Sequence, residues 1–367
     1  MIIETIRTRM ADPAARIRLL ICLAVVAFGV AAPSLVSSYS LTLLARFLAY
    51  SILALGIGLI WGQGGVLSLG QGVFFGLGGY MLAMHLKLAG HAANDLPDFM
   101  VWSGIATLPL AWVPFRSALV SVIAVIAVPG LVSAAFSWLV FRRRVGGVYF
   151  ALITQALALA FSTLLVSQQS LTGGFNGLTN FSRLFGFSTN SNGFGVGLYY
   201  VTLGSTIASY LLLRWLMASR FGTVLRATRD GENRVRFLGY DPTPYKVLAF
   251  TIAGMLAGLA GALFTLAAGV ISPSMVGVIP SIEMVVWVAV GGRGALWGAV
   301  AGTLLVNFAK DEISSALPSA WLYALGLMFV LVVTLLPEGI AGFVQLRGPA
   351  AVWRRLGLAL PRPRNAE

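Results

Sequence analysis

VLAFTIAGMLAGLAGALFTLAAGV, residues 247–270, carries no charged side chain. It exceeds the roughly 20 apolar residues that a helix needs to cross a lipid core. Its Gly and Ala residues recur at three- and four-residue spacing, which lets neighbouring helices approach closely where lipid supplies no hydrophobic drive. Runs of the same kind lie at Leu19–Val36, Leu41–Trp61, Val66–Leu86, Ser117–Phe141, Val148–Ser167, Phe194–Met217 and Ala320–Leu336. A further run, Ile282–Phe308, is interrupted by Gly291-Gly292-Arg293-Gly294. The composition agrees: 58% of the 367 residues are hydrophobic, only 10% are charged, and mean hydropathy is +0.88. Soluble domains hold about 25% charged residues. The expected fold is an all-α membrane protein, a polytopic helical bundle with about eight full spans plus a Gly-turn hairpin, or about ten if both hairpin arms cross. Leu19–Val36 follows Arg16 and Arg18 as a signal peptide would, but further spans follow at once, so a retained anchor is expected.

The net charge of +13 is concentrated. Nineteen of the 25 basic residues fall in Arg7–Arg18, Arg142–Arg144, Arg214–Lys246 and Arg347–Arg364. No basic face is interleaved with stacking aromatics, which argues against nucleic acid. The positive-inside rule places all four zones in the cytoplasm, and with them both termini, 1–18 and 341–367. Residues 19–340 are then the transmembrane domain. Parity makes 87–116 an external interfacial insertion, because Pro97–Pro114 is short, Trp-rich and interrupted by Pro109. It also makes 168–193 an external loop and 219–246 a cytoplasmic segment. The hairpin at 282–308 must enter and return around its glycine turn.

No catalytic set emerges. The phosphate-loop pattern GxxxxGK[ST], the HExxH zinc motif and the GxSxG elbow are all absent. One cysteine, Cys22, and two histidines leave no set of metal ligands. Three other features stand out. Ser219–Lys246 is amphipathic, with Phe221, Val224, Leu225, Val235, Phe237 and Leu238 among Arg226, Arg229, Asp230, Glu232, Arg234 and Arg236, and Gly239 set as a helix terminator. A solvated loop would account for it, but apolar anchors at this spacing favour a partner's groove. Ser68 and Gln71 sit in a glycine-rich stretch and, with Thr154, Gln155 and Asn307, offer neutral hydrogen-bond groups at membrane depth. Leu171–Thr179 (LTGGFNGLT) suits a linker or, through Thr172, Gly173, Gly174 and Asn176, docking of an external partner. Glu283 follows Pro280 at the expected start of a hairpin helix, where a carboxylate complements the dipole or serves transport. Ionisable groups are otherwise scarce in the spans, which shifts the energy source to a cytoplasmic partner and favours an uncharged solute such as urea.

LSLGQGVFFGLGGY (67–80), RRRVGGVYFALITQALA (142–158), LTGGFNGL (171–178), the run from Ser219 to Phe264 and VGGRGALWGAVAG (290–302) resemble the LivM-type permeases of ATP-binding-cassette importers for branched-chain amino acids and urea. The resemblance covers about residues 41 to 340. It implies a permease without an ATP site of its own, in the bacterial inner membrane, paired with a second LivH- or UrtB-like permease. It also implies two cytoplasmic ATPases that use ATP and Mg, and a periplasmic solute-binding protein. Within the group the closer likeness is to the urea-type subunit UrtC. The resemblance makes 219–246 the ATPase-coupling segment, with Arg226, Arg229, Asp230, Glu232, Asn233, Arg234, Gly239 and Tyr240 as its contact residues. The general importer pattern there has an acidic residue, two alanines and a glycine. Asn233, Arg234 and Val235 stand at the first three positions, so only Gly239 matches.

Overall fold

The computed structural model describes residues 27–345, apart from 28, 91–94, 182, 185–186, 189–190, 317–320 and 336–337. Residues 19–26 and 28 of the expected span Leu19–Val36, the basic N-terminus and the basic tail beyond residue 345 therefore lie outside the described residues. The long apolar runs form α1 (Ser38–Ile57, continued by a π-helical turn Gly58–Gln63), α2 (Gln71–Ala89), α3 (Ala118–Arg142), α4 (Val148–Ser167) and α5 (Asn192–Ala218). After them come α6 (Arg220–Phe237), α7 (Thr243–Ala268), α8 (Val278–Gly291), α9 (Leu296–Ala316), α10 (Trp321–Leu335) and α11 (Gly339–Gln345). Seven helices among the described residues are long and apolar enough to cross a membrane: α1 with its π turn, α2 to α5, α7, and α8 counted from Pro273. The chain is a polytopic all-α membrane protein.

Local chemistry sets the boundaries. The Ser37 and Ser191 hydroxyls accept from the Ser40 and Phe194 amides and cap α1 and α5. Gly269, with φ of 70°, ends α7 in the left-handed conformation. Residues 95–117 hold only a five-residue helix, Asp98–Trp102, and a 3-10 turn, Val113–Arg116.

At the centre stands α7, packed on α1, α2 and α3, while α1 also packs on α5 and α9. Small residues make these crossings. A methyl added at Gly261 would run into the Phe75 carbonyl, and one at Gly78 into the backbone of Gly258. The hairpin runs the depth of the bundle. Its turn meets the far end of α1, where Gln63 Nε2 donates to the Gly294 carbonyl at 3.0 Å. At about 1.5 Å per residue, the 21 residues of α9 span about 30 Å, so this arm has crossing length despite its charged end.

Candidate functional site

The apolar run starts the third expected span at Val66, but α2 begins only at Gln71, and residues 64–70 are not helical. Gly64, Gly65 and Gly70 weaken helix there, and Gly65 adopts a φ of 72°. This unwound stretch packs against Thr154, the seventh residue of α4 and so about 9 Å along that helix. Non-helical backbone at such depth survives only where protein satisfies it. The Thr154 hydroxyl accepts from the Leu69 amide at 3.0 Å and donates to Ala151, and the Ser68 hydroxyl accepts from the Gly70 amide at 3.4 Å. Ser68 and Thr154 are thus committed to holding the break. Gln71 differs: it is 1% exposed and its Nε2 finds no hydrogen-bond partner among the described residues. Gln155, next to Thr154, is half-buried and points elsewhere on α4. Asn307 is buried and donates to the Thr303 carbonyl at 2.8 Å, within its own helix.

Glu283 is not a helix cap. α8 starts at Val278, which puts Glu283 beyond the first turn, and its carboxylate takes a hydrogen bond from Lys310 Nζ on α9 at 2.6 Å. Only 10% of the Glu283 side chain is exposed. One turn along α8, Trp287 packs tilted against Tyr50 of α1 with ring centres 4.7 Å apart, and Tyr50 also stacks on Phe264 at 4.9 Å and meets Phe75 at 6.0 Å. Phe75 is one turn from Gln71, so the unpartnered amide and the ion pair belong to the same core. Trp287 Nε1 likewise lacks a partner among the described residues. Arg46 lies one turn before Tyr50 on α1, and its Nε donates to the Ala267 carbonyl at 3.2 Å. The few ionisable groups at this depth are not scattered: Arg46, Glu283 and Lys310 lie where α1, α7, α8 and α9 meet. Sequence reasoning missed Lys310, Arg46, Tyr50 and Trp287. Lys310 pairs across 27 residues, a relation only the hairpin creates.

At the opposite end of α1, α6 is kinked at Gly231 and ends at Phe237. Gly239, with φ of 87°, follows, and the Tyr240 amide returns to the Val235 carbonyl at 3.2 Å, a left-handed cap. The expected apolar anchors divide. Leu225 and Val235 are buried inside the chain, and Phe221 stacks on Tyr245 at 6.0 Å. Phe237 and Leu238 are 91% and 77% exposed, with Tyr240 and the side chains of Asn233 and Arg234 beside them. The charged residues divide as well. Arg229 Nη1 donates to the Gly62 carbonyl at 2.8 Å while its Nε pairs with Asp230 at 2.8 Å. Glu232 holds Arg236 at 2.9 Å and also Lys246, whereas Arg226 is half-buried. Desolvation pushes the Glu232 carboxyl up, but hydrogen bonds and charge from Lys246 and Arg236 outweigh it and leave the group below its ordinary value. The Thr243 amide, with its hydroxyl and nearby Arg236 and Arg144, holds Asp241 low.

The LTGGFNGLT loop is built rather than slack. Thr172 is buried and donates to the Leu165 carbonyl at 2.6 Å, and Gly173 and Gly174 take left-handed turns with φ of 76° and 61°. Leu178–Thr179 pairs antiparallel with Val270–Ile271. Of the four expected docking residues only Asn176 is exposed, next to Phe175 at 76%. The other three shape the loop.

Residues 39–336 match the family described as "Branched-chain amino acid transport system / permease component". The chain is 29% identical over 347 residues to the high-affinity branched-chain amino acid transport system permease protein LivM of Salmonella typhimurium, covering 88% of this chain and 74% of that protein. It is 28% identical to LivM of Escherichia coli over the same shares. It is also 24% identical over 305 residues to LivH of Escherichia coli, covering 80% of this chain and 91% of LivH. No solved structure matches.

Proposed function

Because the chain belongs to the family of branched-chain amino acid transport permease components, we propose that it is the LivM-like half of an importer that carries branched-chain amino acids across the bacterial inner membrane. Likeness to both LivM and LivH supports pairing with a second, homologous permease. In the same proposal two cytoplasmic ATPases hydrolyse MgATP and a periplasmic binding protein delivers the solute. The permease lines the path and catalyses no reaction.

One observation favours an amino acid over urea: the Glu283–Lys310 pair, with its carboxylate buried and its ammonium partly exposed, beside Arg46 and the aromatic core. A zwitterion brings an ammonium and a carboxylate that must both be matched, and this core holds both signs. Tyr50, Phe75, Phe264 and Trp287 offer aromatic surface to an aliphatic side chain. Urea fits neutral donors and acceptors, yet Ser68, Thr154 and Asn307 already serve the backbone. Gln71 and Glu283 remain the path residues. At the other end, Asn233, Arg234, Phe237, Leu238 and Tyr240 form the edge offered to an ATPase. Arg229 and Glu232 tie that edge to the bundle.

Co-purification of the chain with its partners, followed by ATP-driven uptake of labelled leucine and labelled urea in proteoliposomes, tests the proposal. Leucine uptake without urea uptake is expected. Urea uptake alone would restore the urea-type assignment, and isolation without an ATPase would refute the importer.

A further inference from the structure

α2 begins inside the bundle, directly after the break at residues 64–70, and its first turn is uncapped. The 19 residues from Gln71 to Ala89 carry no acid in that turn, and no side chain caps the helix at Gly70. Thr154 and Ser68 serve the amides of Leu69 and Gly70, and the Val73 amide turns to the Gly70 carbonyl at 3.2 Å. The amides of Gln71 and Gly72, both buried residues, meet no acceptor among the described residues. The same holds for Gln71 Nε2, on a side chain that is also buried. Backbone and side-chain donors thus stand together at one helix start. We propose that the start of α2 receives the carboxylate of the transported amino acid, with Gln71 Nε2 and the amides of Gln71 and Gly72 as its donors. The inference deepens the cargo reading above and rests on it.

The local chemistry selects the ligand class. A helix start carries roughly half a positive charge, and its free amides point at whatever lies before it. The Cα–Cβ bonds of an α-helix tilt toward its N-terminus, so the side chain of the first residue leans over that start. Gln71 therefore adds its amide to the two backbone donors. A carboxylate offers about four acceptor positions on two oxygens, enough for all of them. A cation meets the wrong end of the dipole and finds no acceptor. A neutral carbonyl takes the hydrogen bonds but gains little from the partial charge.

The surroundings leave this task to α2. Lys310 is engaged by Glu283, and Arg46 Nε by the Ala267 carbonyl. Gly72 lets α8 close on the site, since a methyl there would meet the Ser281 hydroxyl and the Val276 carbonyl at 2.6 Å. The carboxylate reaches the buried donors only when α4 and α8 part from α2, as passage of a solute requires.

The test compares wild type, Gln71→Leu and Gln71→Glu in the complete importer, reading ATP-driven leucine uptake in proteoliposomes and the thermal midpoint in detergent. Gln71→Leu removes a buried amide group that lacks a partner, so its midpoint should hold or rise. Its leucine uptake should fall at least about tenfold, as for loss of one hydrogen bond to a charged group. Gln71→Glu should lower uptake further, because its carboxylate takes the free amides itself and repels that of the solute. Wild-type uptake in both variants would leave the donors to a buried water and overturn the inference. A midpoint that falls together with uptake in Gln71→Leu would make Gln71 a packing residue and overturn it equally. If the wild type carries no leucine, the cargo reading falls by itself, and the site is judged by ligand. Isocaproate, which is leucine without its ammonium, should then raise the wild-type midpoint. Isocaproamide should not, and Gln71→Leu should abolish the rise. No rise in the wild type, or an equal rise in Gln71→Leu, refutes the site.

Discussion

The inner and outer helices are built from nearly the same residue types and do opposite things. The apolar windows of α1, α2 and α7 are 78%, 72% and 67% buried, against 33%, 28% and 33% for α3, α4 and α5. Hydropathy does not separate the groups: α2 is the least apolar of the six and α3 the most. Placement of small and polar residues does. Gly78, Gly258 and Gly261 bring α2 and α7 into backbone contact, whereas Leu152, Leu159 and Leu164 of α4 face outward. In lipid a leucine gains little by leaving the surface, so inner helices are those with a reason to meet: close-packed glycines, aromatic stacking and the Glu283–Lys310 pair. The outer faces remain for lipid and the second permease.

Breaking the inner ion pair one side at a time should have the largest effect. Lys310→Met leaves the Glu283 carboxylate, 10% exposed, without its lysine at a cost of about 3–5 kcal/mol, whereas Glu283→Gln costs less because the Lys310 side chain is 37% exposed. The thermal midpoint of the purified complex should fall in both variants and recover in large part in the double variant. Glycine crossings come next. Gly261→Leu forces α7 off Phe75 of α2 at about 1–3 kcal/mol, while Leu159→Ala on the outer face of α4 stays within about 0.5 kcal/mol. Equal effects at the two positions would erase the distinction between inner and outer helices.

Arg229 sharpens the comparison at the α6 end. Its charged hydrogen bond to Gly62 is of a kind worth about 1.5–3 kcal/mol, so Arg229→Gln should cut leucine import about tenfold while ATP hydrolysis persists. The smallest effect concerns Glu232. Its carboxyl is held below the ordinary value, so its contribution is fully present above that value and is lost as pH falls through the folded one. With 36% of the side chain exposed, the loss stays under about 1 kcal/mol, and Glu232→Gln should flatten the acid limb of a thermal-midpoint profile.

Much of the bundle was legible in the sequence, because spans announce themselves as uncharged runs and the hairpin as a glycine turn. α3 and α4 match their expected bounds within a residue. The third expected span was misplaced at its start, since hydropathy registers Val66 and Leu67 but not the break held by Thr154. In α6 the apolar spacing was plain, yet it could not separate Leu225 and Val235, which face inward, from Phe237 and Leu238, which face out. The polar core was least legible. Tyr50 and Trp287 look like any aromatic in an apolar run, and Lys310 reads as the end of a span until the hairpin folds it onto Glu283.

Conduction of an amino acid by that core is the central proposal. Its most direct test is leucine imported per ATP hydrolysed by the reconstituted importer, wild type against the Glu283→Gln/Lys310→Met double variant. Neutralising both partners leaves no charge stranded, so the protein should stay folded and hydrolyse ATP. Import should fall at least about tenfold, equivalent to roughly 1.4 kcal/mol of lost stabilisation along the path, with hydrolysis retained. Leucine import at the wild-type ratio in the double variant would contradict it.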